Sequence, residues 1–142
     1  MSSQELEGAI MPGRSRANQS GSSLEQRVVE LAAKLGLSAK KQVRAGHRLW
    51  GKGRRIDIVI YDKQSGKSLG IECKAQNQPG TAEEKLPATI QDIQSWPIPG
   101  IVVLDGEGFS DEIKSFMFST GKAVLLDELE DWLRLYFGLH DE

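Results

Sequence analysis

Three residues near the middle of the chain have types and a spacing suited to chemistry: Asp57, Glu72 and Lys74. A hairpin that turns at Gln64 and Ser65 places Asp57 directly across from Glu72, because each acid lies seven residues from that dipeptide. Lys74 shares the face of Glu72, since alternate side chains of a strand point the same way. Opposed carboxylates with Cβ atoms about 5 Å apart repel each other. We therefore predict that a divalent cation sits between the two acids.

The hairpin that carries these residues spans residues 54–77, and both of its arms alternate in polarity. The second arm places Gln76 on the face of Glu72 and Lys74, and Cys73 on the opposite, apolar face. As the only cysteine, Cys73 excludes an internal disulfide and a cysteine-based zinc site, and we predict that it is a small core residue. In the first arm, the residues predicted to share the apolar face are Ile56, Ile58 and Ile60.

The chain of 142 residues is most simply one domain with a core of ordinary size. Residues 1–22 are rich in Ser, Gly and Gln without a sustained period, which predicts a disordered tail before a single domain over residues 23–142. The sequence has neither an apolar run long enough to span a bilayer nor a signal-like start. We therefore predict a cytoplasmic protein with no membrane contact.

Charge is distributed unevenly along the chain. Residues 1–55 carry 11 Lys and Arg against 4 Asp and Glu, whereas residues 56–142 carry 7 against 16. A basic segment beside an acidic remainder indicates a surface for a polyanion, although uneven charge is also common in proteins that bind none.

The densest basic segment is the glycine-punctuated stretch 46–55, which leads directly into the central hairpin. One interpretation is a flexible contact to a phosphate backbone; the other is a solvated connector whose Trp50 packs in the core. His47 is either a proton-transfer group or a neutral surface residue. On the first interpretation, the nucleic-acid-binding residues of this region are Arg44, His47, Arg48, Lys52, Arg54 and Arg55.

A helix over residues 24–35 precedes this region, capped by Ser22 or Ser23. Glu25 lies in its first turn, next to the apolar stripe. Either Glu25 complements the positive end of the helix, or it is a third acid directed at the metal site. Glu30, further along the helix, is the competing candidate for that third acid.

The remaining chain alternates between helical stripes and short apolar strands, of which residues 101–104 are typical of a strand buried on both faces. The predicted order of elements is α-β-β-β-α-β-α-β-α. In this α/β architecture, an antiparallel meander comes first and helical crossovers then add parallel strands. The result is a mixed β-sheet flanked by helices.

This order of elements, with Asp57 on the second strand and Glu72-Cys73-Lys74 on the third, resembles the PD-(D/E)XK nuclease superfamily and its restriction endonuclease-like fold. The resemblance covers roughly residues 22–126. Asp57 matches the metal-binding aspartate of the family, Glu72 its second acid and Lys74 its catalytic lysine.

Further positions extend the resemblance. Glu25 matches an acid that many members carry near the start of the first helix, and Gln76 completes an E-x-K-x-Q motif seen in many members. Residues 80–85, which include Lys85, are similar to a stretch of some restriction-enzyme-like proteins. One departure is visible, because Ile56 replaces the proline of the family's name, a residue that members often lack.

The resemblance implies a Mg²⁺-dependent endodeoxyribonuclease of the restriction or repair type, in which Mn²⁺ can substitute and no organic cofactor is needed. Asp57, Glu72, Glu25 and the backbone carbonyl of Cys73 are then the expected metal ligands. Lys74 is expected to orient the attacking water and to stabilise the developing charge. Gln76 is expected to position that water or a phosphate oxygen, and Lys85 is expected to contact DNA.

The partner implied is DNA, and cutting both strands of a duplex favours a two-fold homodimer. Two other functions stay open. One is a catalytically idle DNA-binding or assembly subunit that retains the fold, and the other is a relative that acts on RNA or a nucleotide. Intact Asp57, Glu72 and Lys74 favour the active nuclease over the idle subunit, because an acidic cluster is costly to keep without a use.

Overall fold

A five-stranded mixed sheet with helices on both faces forms the domain. The computed structural model describes residues 14–47, 53–76 and 81–140. The helices are α1 (Arg14–Lys34), α2 (Leu86–Gln94), α3 (Asp111–Ser119) and α4 (Leu129–Phe137). The strands are β1 (Ser38–His47), β2 (Gly53–Tyr61), β3 (Ser68–Ala75), β4 (Gly100–Asp105) and β5 (Ala123–Leu125). Short 3₁₀ turns, Thr81–Lys85 and Leu126–Glu128, precede α2 and α4, so the predicted order of elements and α/β class are confirmed.

The strands lie in the order β1-β2-β3-β4-β5, antiparallel through β3 and parallel from β3 to β5. The β2–β3 pairing runs from Tyr61↔Ser68 to Ile58↔Ile71. This is the register that a turn centred on Gln64 and Ser65 predicts. The next pair in the same register is Asp57 and Glu72.

Two clusters of buried side chains cover the two faces of the sheet. β4 contributes to both, which confirms the prediction of a doubly buried strand. The α1-face cluster consists of Leu24, Val28, Ala32, Leu37, Ile58, Ile60, Leu69, Ile71, Ile101, Val103, Val124, Leu129, Leu133 and Phe137. The α2-face cluster consists of Ile56, Leu86, Ile90, Ile93, Trp96, Val102, Leu104, Phe109 and Met117.

Helix α1 is longer than the sequence predicts. Its 21 residues begin at Arg14 and run through Ser22 and Ser23, which therefore do not cap it. No proline interrupts this stretch, and extending an existing helix costs little compared with nucleating one. Residues 14–22 thus belong to α1 rather than to a disordered tail, and residues 1–13 lie outside the described ranges.

The faces of β1 and β2 exchange near the middle of the two strands. Ile58 packs in the α1-face cluster but Ile56 packs in the α2-face cluster, so the prediction that the three isoleucines share a face is wrong for Ile56. Backbone pairs flank this point at Lys41↔Ile58 and Val43↔Ile56. Between them, Gln42 adopts φ 55°, a left-handed conformation that costs a non-glycine residue about 1–2 kcal/mol. This local reversal falls at Gln42 and the residue opposite it, Asp57.

Helix α2 approaches the sheet closely because two glycines lie beneath Trp96. Gly70 and Gly100 are partners in the β3–β4 ladder. A Cβ added to Gly70 would lie 2.7 Å from Cζ3 of Trp96, and one added to Gly100 would also collide with the indole. The buried indole of Trp96 therefore occupies space that the side chains of any residues other than glycine at positions 70 and 100 would fill.

Candidate active site

Asp57 and Glu72 lie side by side where β2 and β3 stop pairing. Beyond Ile58↔Ile71, backbone N–H groups of each strand donate to a carboxylate of the other strand instead of to a backbone carbonyl. The backbone N–H of Asp57 donates to Oε1 of Glu72 at 3.4 Å, and the N–H of Cys73 donates to Oδ2 of Asp57 at 3.0 Å. The opening of the hairpin thus brings two half-buried carboxylates together, as the turn arithmetic predicts.

The environment of Glu72 opposes its negative charge. Burial, followed by the charge of Asp57, raises the pKa of Glu72 from 4.5 to about 7, and Lys74 offsets part of this effect. A raised pKa of this size means that the surrounding protein disfavours the charged form of the carboxyl. An added cation would favour the charged form of both acids.

Cys73 lies between Glu72 and Lys74 on β3 but faces the other way, against the α1-face cluster. Burial, with smaller contributions from Asp57, Glu25 and Glu72, raises the pKa of its thiol well above the ordinary value. The thiol therefore stays protonated and apolar, in agreement with the predicted role as a small core residue.

Lys74 lies beside Glu72 in a cleft of about 310 Å³ between the sheet and α2. We call this the Lys74 cleft. Its wall combines four cations with two acids, one of which is Glu72. It is lined by Arg54, Arg55, Glu72, Lys74, Lys85, Ala88, Thr89, Asp92 and Trp96.

Glu25 reaches the same end of the sheet from α1, but it is linked to Asp57 through a third side chain. Nε2 of Gln42 donates to Oε1 of Glu25 at 3.2 Å and to Oδ1 of Asp57 at 3.5 Å. Burial, then the charge of Asp57, raises the pKa of Glu25, while the Gln42 bond lowers it. The predicted third acid is thus near Asp57, with an amide between them.

Gln42 is the site residue that the sequence analysis missed. It sits among exposed polar residues of an edge strand, where a glutamine carries no special signal. Its left-handed backbone could not be anticipated either, because non-glycine residues adopt this conformation uncommonly.

Gln76 follows β3, and its side chain is engaged by the loop after β4. Nε2 of Gln76 donates to the carbonyl of Gly108 at 2.9 Å, and the backbone of Gln76 bonds to Asp105 and Gly108 as well. One amide donor is therefore used to hold this loop against the sheet.

Apart from Arg54, the basic residues predicted to bind nucleic acid fall into three groups. Arg44 and Arg55 are exposed and directly opposed in the β1–β2 ladder, a like-charged pair that an anion would stabilise. Lys85 is exposed at the rim of the Lys74 cleft. His47 ends β1, and its side chain, like residues Arg48 and Lys52, lies outside the described part.

Arg54 also has partners within the protein, and its contact with nucleic acid stays a prediction. Nη2 lies 3.1 Å from Oδ1 of Asp92, and Nη1 bonds to Oγ of Ser95. The side chain is only 16 % exposed. Arg54 therefore ties β2 to α2 and forms part of the wall of the Lys74 cleft.

The acid pair suits one hard divalent cation. Within the described ranges, no group of three or more His, Cys, Asp or Glu side chains is arranged to hold a metal ion. Mg²⁺, however, keeps several of its waters and usually needs only one or two protein carboxylates. Asp57 and Glu72 meet this requirement, and the mutual repulsion expressed in the pKa of Glu72 is what a cation would relieve.

The fold is similar to that of a protein whose structure has been solved. One similar solved structure is a crystal structure of a protein of unknown function, AF1548, with a TM-score of 0.50 and 22 % identity. The match covers 72 % of this chain and 56 % of that one, so the chain spans little more than half of that protein. No curated protein matches the chain. No helix of the described residues is long and apolar enough to cross a membrane.

The family assignment rests on most of the folded chain. A family model described as a PD-(D/E)XK nuclease superfamily domain matches residues 16–130. That range contains the hairpin with its two acids, Lys74 and the whole sheet. The chain belongs to the PD-(D/E)XK nuclease superfamily.

Proposed function

We propose that this domain is a Mg²⁺-dependent endodeoxyribonuclease that hydrolyses DNA phosphodiester bonds. One observation carries the proposal: the carboxyl groups of Asp57 and Glu72 lie close enough for the charge of one to raise the pKa of the other, beside a lysine at a cleft lined by four cations. Such an arrangement is costly for a scaffold and useful for a reaction at a phosphate.

Asp57 and Glu72 are the side chains proposed to hold the ion, together with the backbone carbonyl of Cys73, the next residue along β3. Bound there, a divalent cation supplies a water of lowered pKa and polarises the phosphate. Glu25, which reaches Asp57 only through Gln42, is proposed to hold a second ion or a water. Mn²⁺ is expected to replace Mg²⁺ because both accept oxygen ligands.

Lys74 is the proposed catalytic cation of the chain itself. Its ammonium shares the cleft with Glu72, so it can orient the attacking water and stabilise charge that develops on the phosphate oxygens. Gln76 is proposed to assist from the same face of β3, through the part of its amide that does not hold Gly108.

DNA is the proposed substrate because the cleft that contains Glu72 is lined by four cations, which suit a polyanion. Arg44 and Arg55 form the exposed like-charged pair, and Lys85 stands at the rim of the cleft. Such side chains contact phosphates, which position a duplex without reading its sequence. His47, Arg48 and Lys52 are proposed to continue this surface.

We also propose a homodimer, because two copies related by a two-fold axis can each cut one strand of a duplex. Light scattering coupled to gel filtration tests the assembly. A particle of twice the 15.7 kDa chain mass is expected, and a monomer that still cuts both strands would contradict the dimer.

A second function, an idle DNA-binding or assembly subunit, is favoured by one specific observation. The amide of Gln42 already donates to both Glu25 and Asp57, so part of the acidic cluster is satisfied without a metal. An idle subunit would need nothing more at this position.

The decisive experiment incubates supercoiled plasmid with the protein and Mg²⁺ or Mn²⁺, beside the variant Lys74→Ala. The matched control is Lys63→Ala, an exposed lysine in the turn at the far end of the β2–β3 hairpin. We expect nicking or cutting by the wild type and the control, and none by Lys74→Ala or in EDTA.

The other outcomes identify the alternatives. A plasmid that stays intact with every metal while the protein still shifts DNA in a gel would establish the idle subunit. Cleavage confined to RNA would replace DNA as the substrate.

A further inference from the structure

Gln42 occupies an unusual position directly opposite Asp57. It lies on edge strand β1, between the pairs Lys41↔Ile58 and Val43↔Ile56, with its backbone at φ 55°. Sparsely populated backbone conformations of this kind cluster at functional sites, where the surrounding structure holds them. The side chain of Gln42 is exposed, so core packing does not account for it.

The amide of Gln42 is one of two groups that fix the carboxylate of Asp57. Nε2 of Gln42 donates to Oδ1 at 3.5 Å, and the backbone N–H of Cys73 donates to Oδ2 at 3.0 Å. With a bond to each oxygen, the plane of the carboxylate is set. The remaining lone pairs are those available to a cation shared with Glu72.

The same amide separates two acids. Nε2 of Gln42 also donates to Oε1 of Glu25 at 3.2 Å, so the –NH₂ group lies between the carboxylates of Glu25 and Asp57. Each acid receives a donor, and neither has to turn away from the other.

We propose that Gln42 is a positioning residue that holds the carboxylate of Asp57 in its metal-binding orientation while keeping Glu25 apart from it. This inference rests on the proposed nuclease function. It adds a residue that no motif of the sequence identifies, and it assigns a purpose to the left-handed backbone, which directs the side chain between the two acids.

A neutral amide fits this role better than a charged side chain. A lysine at position 42 would bring its own positive charge and compete with the divalent ion for both carboxylates. A glutamate there would add a third like charge. Glutamine donates two hydrogen bonds without changing the net charge of the site.

The test begins with the metal-free protein and the variant Gln42→Gly. Glycine takes a positive φ without strain, so this change removes the amide but keeps the backbone path. We expect the Cys73 amide to exchange with solvent about fivefold faster, because Asp57 no longer holds a fixed acceptor oxygen toward it. Hydrogen exchange followed by NMR measures this, and Lys40→Gly, an exposed position on the same strand, is the matched control.

The second readout is Mn²⁺ affinity, measured by titration calorimetry without DNA. Loss of a residue that orients a metal ligand typically weakens binding by about 10–100-fold, and we expect this for Gln42→Gly but not for Lys40→Gly. Gln42→Asn, which keeps an amide and tolerates the left-handed backbone, should recover part of the loss. If Gln42→Gly does not fold, Gln42→Met, of similar size and without a donor, replaces it in both measurements.

Two results would overturn the inference in distinguishable ways. Unchanged Cys73 exchange and unchanged Mn²⁺ affinity in a folded Gln42 variant would remove Gln42 from the site and leave the nuclease proposal standing. A wild-type protein that takes up no Mn²⁺ and cuts no nucleic acid would end the proposed function and, with it, the positioning role.

Discussion

Two charged pairs start from the same strand, three residues apart, and they are opposite in character. Arg54 pairs with Asp92 of α2, cation with anion, at 3.1 Å. Asp57 lies against Glu72 of β3, acid with acid, and its charge contributes to the raised pKa of Glu72. In the first pair, each charge is matched by the opposite charge of a group within the chain. The second pair is destabilising as it stands and becomes favourable when an outside cation joins it.

The contrast shows how structural polar residues can be distinguished from functional ones when both are buried to a similar extent. Both Arg54 and Asp57 are half-buried polar residues of β2. What differs is whether the chain neutralises them. Arg54, whose predicted contact with phosphate stays a prediction, is also part of the scaffold, because Asp92 and Ser95 bond to it.

Replacing Glu72 with glutamine should produce the largest effect, because it removes one charge from the like-charged pair without changing its shape. DNA cleavage with Mg²⁺ is expected to fall by about 100-fold or more. A plasmid-nicking time course measures it, with Glu112→Gln on the exposed face of α3 as the control. Cleavage at the wild-type rate would show that the acid pair does not hold the catalytic ion.

The pH dependence of stability should be the next largest effect. The folded pKa of Glu72, about 7, lies above its ordinary value of 4.5. The metal-free folded protein therefore binds this proton more tightly than the unfolded chain does. The contribution of Glu72 to stability is fully present below its ordinary pKa and is lost as the pH rises through about 7, a loss of about 3 kcal/mol.

Urea unfolding in EDTA, from about pH 5 to about pH 8, measures this decline. Glu72→Gln should flatten the profile, and excess Mg²⁺ should reverse its slope at the alkaline end, because ions bind the charged carboxylates. A metal-free wild type whose stability rises across this range would contradict the assignment of Glu72 as the strained acid.

Arg54→Ala should destabilise the fold by about 2 kcal/mol, because it removes a mostly buried guanidinium that bonds to Asp92 and Ser95 and so joins β2 to α2. The matched comparison is Lys34→Ala, which removes the exposed pair between Lys34 and Glu130 and should cost less than about 1 kcal/mol. Denaturant midpoints of the two variants measure the difference. Equal losses would mean that the Arg54 pair is no more than a surface contact.

Arg55→Ala and Lys85→Ala should have the smallest effects and should act on DNA affinity rather than on stability. Each cation that contacts a phosphate contributes about one unit to the slope of log affinity against log salt. Fluorescence anisotropy with a catalytically inactive Lys74→Ala background measures this slope, with Lys63→Ala in the same background as the control. An unchanged slope would remove that residue from the DNA surface.

Periodicity and turn arithmetic were sufficient for the fold and for the acid pair. The doubly apolar run of β4 and the helical stripe of α2 specified the parallel half of the sheet. Counting from Gln64 and Ser65 aligned Asp57 with Glu72, because a hairpin register is fixed by its turn. These features depend on residues near one another in sequence.

Contacts between residues that are far apart in sequence could not be predicted from periodicity or turn position. The Arg54–Asp92 pair joins residues 38 apart in sequence, and nothing in either residue type selects the other. The exchange of faces at Asp57, which moves Ile56 to the α2-face cluster, lies opposite the left-handed backbone of Gln42, and neither feature has a signal in the sequence. Side chains of a strand normally alternate between its two faces, and the candidate site lies where this alternation is interrupted.

The glycine pair beneath Trp96 has a consequence for how the Lys74 cleft is kept narrow. A single methyl group on Gly70 would act as a wedge under the indole and lever α2 away from the sheet. The width of the Lys74 cleft therefore depends on the absence of Cβ atoms at Gly70 and Gly100. The same close approach sets the distance between the charged groups of β2 and β3 on one side of the cleft and Lys85 and Asp92 on the other.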